Sequence, residues 1–233
     1  MDPVDALTEI AYLLERSLAS SFKTKAFRTA ADVLAKIPAD ERAEKAQNGS
    51  LKRTKGIGGT TFEVITEALD GQVPAYLADL RERTGAPLTT GGSAIRKLLK
   101  GDLHSHSDWS DGTTSIQSMA DTARWLGHDY LVLTDHSPHL RVANGLTAER
   151  LTEQLAVVDS LNTSGAFTLL SGIEVDILDD GALDQTPEML GRLSVVVASV
   201  HSKLRMESGP MTERMLAAVR NPATNVLGHC TGR

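Results

Sequence analysis

Five short apolar runs in the second part of this chain are each followed by His, Asp or Glu, and that pattern constrains its fold most. The first leads into His104 within G-D-L-H-S-H-S-D-W-S-D-G (residues 101–112), and run 130–134 precedes Asp135 and His136. Run 167–173 precedes Glu174 and Asp176, run 193–200 precedes His201, and run 225–228 precedes His229. Between the runs lie segments with helical periodicity, at residues 115–126, 147–161 and 211–220. Met119, Ala120, Ala123 and Leu126 fall on one face of the first. Strands alternating with helices predict parallel pairing through helical crossovers, hence an α/β domain. In a β/α barrel the ends of such strands share one rim, where these folds place their chemistry.

His104 and His106 alternate at the start of what the pattern predicts to be a short strand, so both imidazoles point to one face. Asp111 and Gly112 then turn the chain and return a carboxylate towards the same place. Imidazole and carboxylate are ligands that zinc, iron and manganese accept. An isolated H-x-H is also met in ordinary polar loops, and any one polar residue ending a strand is unremarkable. Five strand ends in succession, all of metal-ligand type, favour a metal site.

The first hundred residues follow a different period. Leu7, Ile10, Ala11, Leu14 and Leu18 recur at helical spacing after a start helped by Asp5. A second helix is predicted over residues 25–37, stopped by Pro38, and a short charged third over 39–47. Gly56-Ile57-Gly58 then precedes another amphipathic helix, with Lys52, Arg53 and Lys55 beside the turn. A glycine turn opening a helix can face backbone N–H groups towards a phosphate. A last helix ends near Thr84, and Gly, Pro, Thr and Ser then mark a linker. The predicted layout is a helical domain at 1–84, a linker at 85–94 and an α/β domain at 95–233.

Charge supports two modules. The formal net charge is −6, with 15 basic against 13 acidic residues in 1–100 and 9 against 17 in 101–233. An acidic second half tolerates bound cations. Scarce aromatics (4%) argue against a nucleic-acid surface built mainly on base stacking. A single cysteine, Cys230, permits no intrachain disulfide and fits a reducing cytoplasm. The opening Met-Asp-Pro-Val-Asp has no secretory character, and the longest apolar run, 193–200, is too short to span a bilayer. A cytoplasmic protein with no membrane partner is expected.

The stretches H-S-H-S-D-W-S-D-G, L-T-D-H-S-P-H-L-R-V-A-N-G-L, G-I-E-V-D-I-L-D-D-G-A-L-D, V-V-A-S-V-H-S and V-L-G-H-C-T-G-R resemble the PHP (polymerase and histidinol phosphatase) superfamily. The subgroup most like them is the PHP domain of bacterial family X DNA polymerases. Residues 5–85, with S-F-K-T-K-A-F-R-T-A-A-D-V-L-A-K-I-P and the Gly-Ile-Gly hairpin, resemble the small N-terminal helix-hairpin-helix domain of family X polymerases. The resemblance implies a distorted β/α barrel of PHP type preceded by a small all-α domain that docks on DNA backbone. It also implies up to three divalent ions (Zn, Mn or Fe). His104, His106 and Glu174 would hold the first, and Glu174 would bridge to a second that His201 also binds. Asp111, His136 and His229 would complete the remaining positions, and Asp135 would orient ligands or occasionally bind. Arg141, Lys203 and Arg233 become candidate phosphate contacts. Lys23, Arg28, Lys52, Arg53, Lys55, Gly56 and Gly58 become candidate DNA contacts. His128 and His139 read as ordinary loop residues and Cys230 as structural.

Two departures modify the expectation. Where beta-type polymerases carry the lysine that forms a Schiff base with an abasic sugar, this chain has Val64, so no lyase activity is expected. PHP domains end with a further strand pair and a D-x-H-type motif that is not found by Arg233. The resemblance therefore implies a piece of a longer protein, with its barrel unclosed and residues 1–233 alone impaired. The function expected is hydrolysis of phosphoesters by water activated on divalent ions, on DNA ends in repair (3′-5′ exonuclease or 3′-phosphatase type). The alternatives are a small-molecule phosphatase resembling histidinol phosphatase, and a non-catalytic DNA-binding protein that keeps the PHP half as a scaffold. The oligomeric state is not legible.

Overall fold

The protein is represented by a computed structural model that describes residues 1–86, 91–162, 165 and 167–230. The chain divides into two compact units, residues 1–91 and 92–233.

Among the described residues the first unit holds five helices: α1 (Pro3–Arg16), α2 (Ser21–Ala35), α3 (Ala39–Gln47), α4 (Gly59–Leu69) and α5 (Ala75–Thr84). A 3-10 turn, Leu51–Arg53, precedes the hairpin. The start of α1 is capped by Asp2, whose side chain accepts from the Val4 and Asp5 amides, so Asp5 only sits in the first turn. The second helix begins earlier than predicted, at Ser21. Leu7, Ile10, Phe27, Leu34, Leu51, Val64, Ile65 and Leu77 close one apolar core between the helices. Gly56 sits at φ +97°, a conformation open to glycine but strained for other residues. A Cβ there would also stand 3.0 Å from the Thr29 side chain.

The second unit contains α6 (Ser93–Arg96), β1 (Gly101–Asp102), α7 (Ile116–Trp125), β2 (Tyr130–Leu133), α8 (Ala148–Leu161), β3 (Thr168–Asp176), α9 (Pro187–Leu190), β4 (Val195–Ser199), α10 (Ser208–Arg220) and β5 (Val226–Leu227). Among the described residues all four strand pairings are parallel, and the order across the sheet is β1-β2-β3-β4-β5. Such a sheet has no point where strand order reverses, unlike a doubly wound fold. With right-handed crossovers, its helices gather on one face and the sheet curls as part of a barrel. Leu133, Val158 and Leu169 pack with α7, while Ile173, Val175, Val196 and Ala198 pack with Leu146, Leu151 and Ala218. Gly172 lets β3 pack tightly, since a Cβ there would stand 2.7 Å from the Val132 side chain and 2.8 Å from Val195 O. Among the described residues no helix is long and apolar enough to cross a membrane.

One local expectation is corrected. β1 ends at Asp102, so His104 and His106 lie beyond it rather than on a strand. The Asp102 carboxylate accepts from the His104 amide at 3.0 Å, a local bond that competes with the ladder. The segment stays anchored through Ser105, whose hydroxyl donates to Val132 O (2.7 Å) and whose carbonyl accepts from the Thr134 amide (2.8 Å). The imidazoles on either side of Ser105 still converge, with ring centroids 5.1 Å apart.

Candidate metal centre

The sheet's middle strand carries the residue at the centre of the site. Glu174, near the end of β3, is 1% exposed. Its Oε2 lies 3.2 Å from His104 Nε2, 3.3 Å from His106 Nε2 and 3.1 Å from His136 Nδ1. Its Oε1 lies 2.9 Å from His229 Nε2 and 3.3 Å from His201 Nε2. The five rings form a closed circuit in the order 104, 106, 136, 201, 229, with neighbouring centroids 4.4 to 6.1 Å apart. Each comes from a segment at or beyond a strand end, which is why residues so far apart in sequence meet. Asp111 stands at the edge, half exposed, with its oxygens 3.6 Å from His106 Nδ1 and 3.5 Å from His136 Nε2.

Protein contacts alone account poorly for this arrangement. Five imidazoles this close cannot all be protonated, because like charges oppose one another. Nor can five rings all donate well to the lone pairs of one carboxylate. The Nδ1 atoms of His106 and His136 are buried without a hydrogen-bond partner. For His136 this holds although Glu174 Oε2 is 3.1 Å away, so the two atoms meet without hydrogen-bond alignment. Nitrogen and oxygen atoms side by side and misaligned are what ligands of a shared cation look like. Among the described residues three triads bring their ligand atoms within 4.8 Å of one another: His104, His106 and Glu174; His106, Asp111 and His136; His136, Glu174 and His201. These clusters could hold metal ions.

Electrostatics separates the five rings. Burial pushes the Glu174 carboxyl up, but hydrogen bonds from His104 and His201 outweigh it and hold the group far below the carboxylate range. His104 is raised, chiefly by its hydrogen bond to Glu174. Burial lowers His106 and His136 more than neighbouring carboxylates raise them. Burial also opposes charging of His201, yet its bonds to Asp176 and Glu174 raise it to about 9. The folded pKa of His201 thus exceeds its ordinary value of about 6.5. In metal-free protein its ion-pair contribution is complete below about pH 6.5 and lost as pH rises through about 9. His201→Gln should accordingly lower the Tm of chelator-treated protein most near pH 6 and hardly at all above pH 9, by differential scanning fluorimetry across pH. An undiminished effect at high pH would contradict this.

Two residues that the motif reading placed at the margin are central to the support. Asp176 contacts His201 Nδ1, which turns His201 Nε2 to the centre, and a carboxylate behind an imidazole is the usual means of orienting a metal-binding histidine. Asp135 is 1% exposed, and its carboxylate is taken up by the loop that follows His106. Its oxygens accept from the Ser107 amide (2.8 Å) and hydroxyl (2.6 Å), the Ser110 hydroxyl (2.5 Å) and the Gln154 amide side chain (2.6 Å). It therefore anchors the loop that carries His106 and Asp111. Gln154, on α8 and 1% exposed, was hidden in the sequence among ordinary helix residues.

The candidate anion contacts are scattered. Arg141 is exposed, and Lys203 is ion-paired with Asp179. Arg233 lies outside the described residues. His139 lines a cavity of about 540 Å³ with Leu178, Asp179, Asp180, Ser202 and Lys203. His128 is half-buried, and Cys230 is free and exposed. In the first unit Lys23, Lys52, Arg53 and Lys55 are exposed, whereas Arg28 is paired with Glu15. Of the hairpin amides, Ile57 donates to Thr54 O and Gly58 to Thr61 Oγ1, which leaves the first turn of α4 to face an anion. Val64 is buried, and the small cavity beside it is lined by Thr60, Glu63, Val64, Glu67, Ala75 and Tyr76.

A parallel α/β sheet that gathers imidazoles and carboxylates on the rim at its strand ends belongs to the class of barrel-type proteins with a metal-ligand centre. Comparison with known sequences identifies the family: the PHP domain matches residues 102–231, and the chain belongs to that family. A helix-hairpin-helix domain matches residues 1–73. The chain is 40% identical over 166 residues to a protein of Bacillus subtilis (strain 168) named DNA polymerase/3'-5' exonuclease PolX, a match covering 69% of this chain and 29% of that one. It is 30% identical over 133 residues to a probable phosphatase of Acetivibrio thermocellus, covering 55% of this chain and 53% of that protein. A probable phosphatase of Thermoanaerobacter sp. (strain X514) matches at 29% over 137 residues, 55% of this chain and 52% of its own. The chain thus spans about half or less of the relatives it matches.

Proposed function

We propose that this protein is a metal-dependent phosphoesterase acting on DNA ends, with His104, His106, Asp111, His136, Glu174, His201 and His229 holding up to three divalent ions. The observation that carries the proposal is the single buried Glu174 carboxylate ringed by five imidazoles in a PHP-family chain. When bound, such ions lower the pKa of a coordinated water and neutralise phosphate oxygens and the leaving alkoxide. Glu174 supplies the negative charge that offsets neighbouring cations, and Asp176 presents His201 with Nε2 inward. Asp111 is the most exposed of these candidate ligands. The hydroxyls of Ser105, Ser107 and Ser110 are bonded to Val132 O and Asp135 rather than to an imidazole, which favours water over a side chain as nucleophile.

DNA is favoured because a helix-hairpin-helix domain with exposed Lys52, Arg53 and Lys55 shares the chain, and because one relative's name includes a 3'-5' exonuclease. A small phosphate monoester is the second possibility. It is favoured by the relatives named probable phosphatases, although the cavity beside His139 is acidic and its Lys203 is paired with Asp179.

The test is hydrolysis, by the full-length protein, of a 3′-labelled DNA strand and of a phosphate monoester with Mn²⁺ or Zn²⁺, with His104→Ala as control, alongside DNA binding against salt. Replacing Lys52, Arg53 and Lys55 by Gln should weaken binding and flatten the log–log salt slope by up to about 3, since each phosphate contact contributes about 0.9. DNA cleavage lost in His104→Ala establishes the nuclease. Monoester turnover without DNA cleavage moves the assignment to the second possibility, and hydrolysis of neither substrate overturns both.

A further inference from the structure

We infer that Arg214 is the positioning residue that fixes the His201 side of the centre, a role that rests on the metal-binding function proposed above. Arg214 projects from α10 and is 2% exposed, among the largest fully buried side chains of the protein. Its guanidinium is solvated by backbone and hydroxyl oxygens rather than by a directly bonded carboxylate among the described residues. Nε donates to Ile177 O at 3.1 Å and Leu178 O at 2.9 Å, and Nη1 donates to Ser202 O at 2.9 Å. Nη2 donates to Ser202 Oγ at 3.1 Å and again to Ile177 O.

The residues it joins are the ones that follow Asp176 and His201. β3 ends at Asp176 and β4 at Ser199, and the Ile177 amide to Ser199 O (2.7 Å) is a backbone bond just past the paired register. Beyond it the two exits would be free to part. The rigid fork of the guanidinium takes over from the ladder there, spanning from Ile177 to Ser202 in one plane. The Asp176–His201 contact depends on that spacing, and it directs His201 Nε2 towards Glu174. Close approach of α10 depends in turn on Gly181, at φ +85°, where a Cβ would stand 2.7 Å from Arg214 O. Lysine keeps the charge but cannot bridge the two exits, so the substitution separates positioning from charge.

The experiment measures Zn²⁺ affinity of the metal-stripped chain by competition with a chromophoric chelator, with folding followed by circular dichroism. Arg214→Lys should weaken one class of site by about 10- to 100-fold, the scale of losing a partner behind a ligand. Ser202→Ala, a milder change that removes one hydroxyl acceptor, should weaken the same class by a few-fold. In a His201→Ala background neither substitution should lower affinity further. Unchanged Zn²⁺ affinity in both variants, or the same fold-loss with and without His201, overturns the role. Should His201→Ala itself leave affinity unchanged, the metal assignment of His201 falls as well; a loss in His201→Ala with none in Arg214→Lys removes Arg214 alone.

Discussion

Glu174→Gln is expected to strip the centre of metal and to take hydrolysis with it, while the fold survives. The side chains have the same shape, so the core around β3 need not move. What changes is charge and one ligand atom. Two oxygens that face three and two imidazoles become one oxygen and one NH₂ group. An NH₂ group cannot bind a cation, and its protons point where an ion would sit. Affinity for Zn²⁺ or Mn²⁺ should fall more than about 100-fold, beyond what removal of a supporting partner costs. Hydrolysis should fall by about 10²–10³-fold or more, the scale of losing one preorganised charge-stabilising group. His104 should also return towards its ordinary pKa, since its bond to Glu174 is the main cause of its rise. Metal content by atomic emission, with activity on the same preparation, checks this. Full metal occupancy in Glu174→Gln would remove Glu174 from the centre.

Asp135→Ala should produce the largest loss of stability. Four donors converge on that carboxylate, from Ser107 twice, Ser110 and Gln154. Ser107 is 0% and Gln154 1% exposed, so water cannot replace the lost acceptor. Each buried donor left without a partner costs about 1–3 kcal/mol, so the loss of an acceptor shared by four donors amounts to several kcal/mol. Against typical domain stabilities of about 5–15 kcal/mol, that is enough to leave the second unit partly unfolded near body temperature. Asp135→Asn keeps one acceptor oxygen and should lose less. Urea denaturation of all three proteins measures the ordering, and a loss below about 1 kcal/mol for Asp135→Ala would show that Asp135 is not the anchor of the His106 loop. Saturating metal should recover part of the loss, because ions pull on His106 from the other end of that loop.

The sheet was legible because each strand is a compact apolar run that turns polar at one end. Run 193–200 and residues 226–227 need no tertiary information to be seen as strands, and their ends name His201 and His229. The convergence of five rings on Glu174 was not legible from local pattern, since strand order is decided by pairing between distant segments; only the motif resemblance pointed to it. Period-two alternation placed His104 and His106 on a strand, but the side-chain bond from Asp102 ends that strand two residues earlier. Asp135, Gln154 and Arg214 were hardest to read for one reason. Polar residues on helices or beside a ligand are normally solvated, and here their partners are distant in sequence: Gln154 bonds Asp135, and Arg214 bonds backbone oxygens of the strand exits. Lys203 looked available for an anion because its partner, Asp179, belongs to a different strand exit.

The sequential strand order sets how the site comes together in time. Each strand pairs with a neighbour in sequence, so the sheet can grow one βα step after another as the chain leaves the ribosome, without waiting for a distant segment. Ligands then accrue in the order His104 and His106, Asp111, His136, Glu174, His201, His229. Three imidazoles gather before the buried carboxylate arrives, and Arg214 is synthesised only after both exits it clamps. A cation captured at that stage would draw β3 onto β2 and act as a folding nucleus, so refolding of this unit should run faster with metal present than without it.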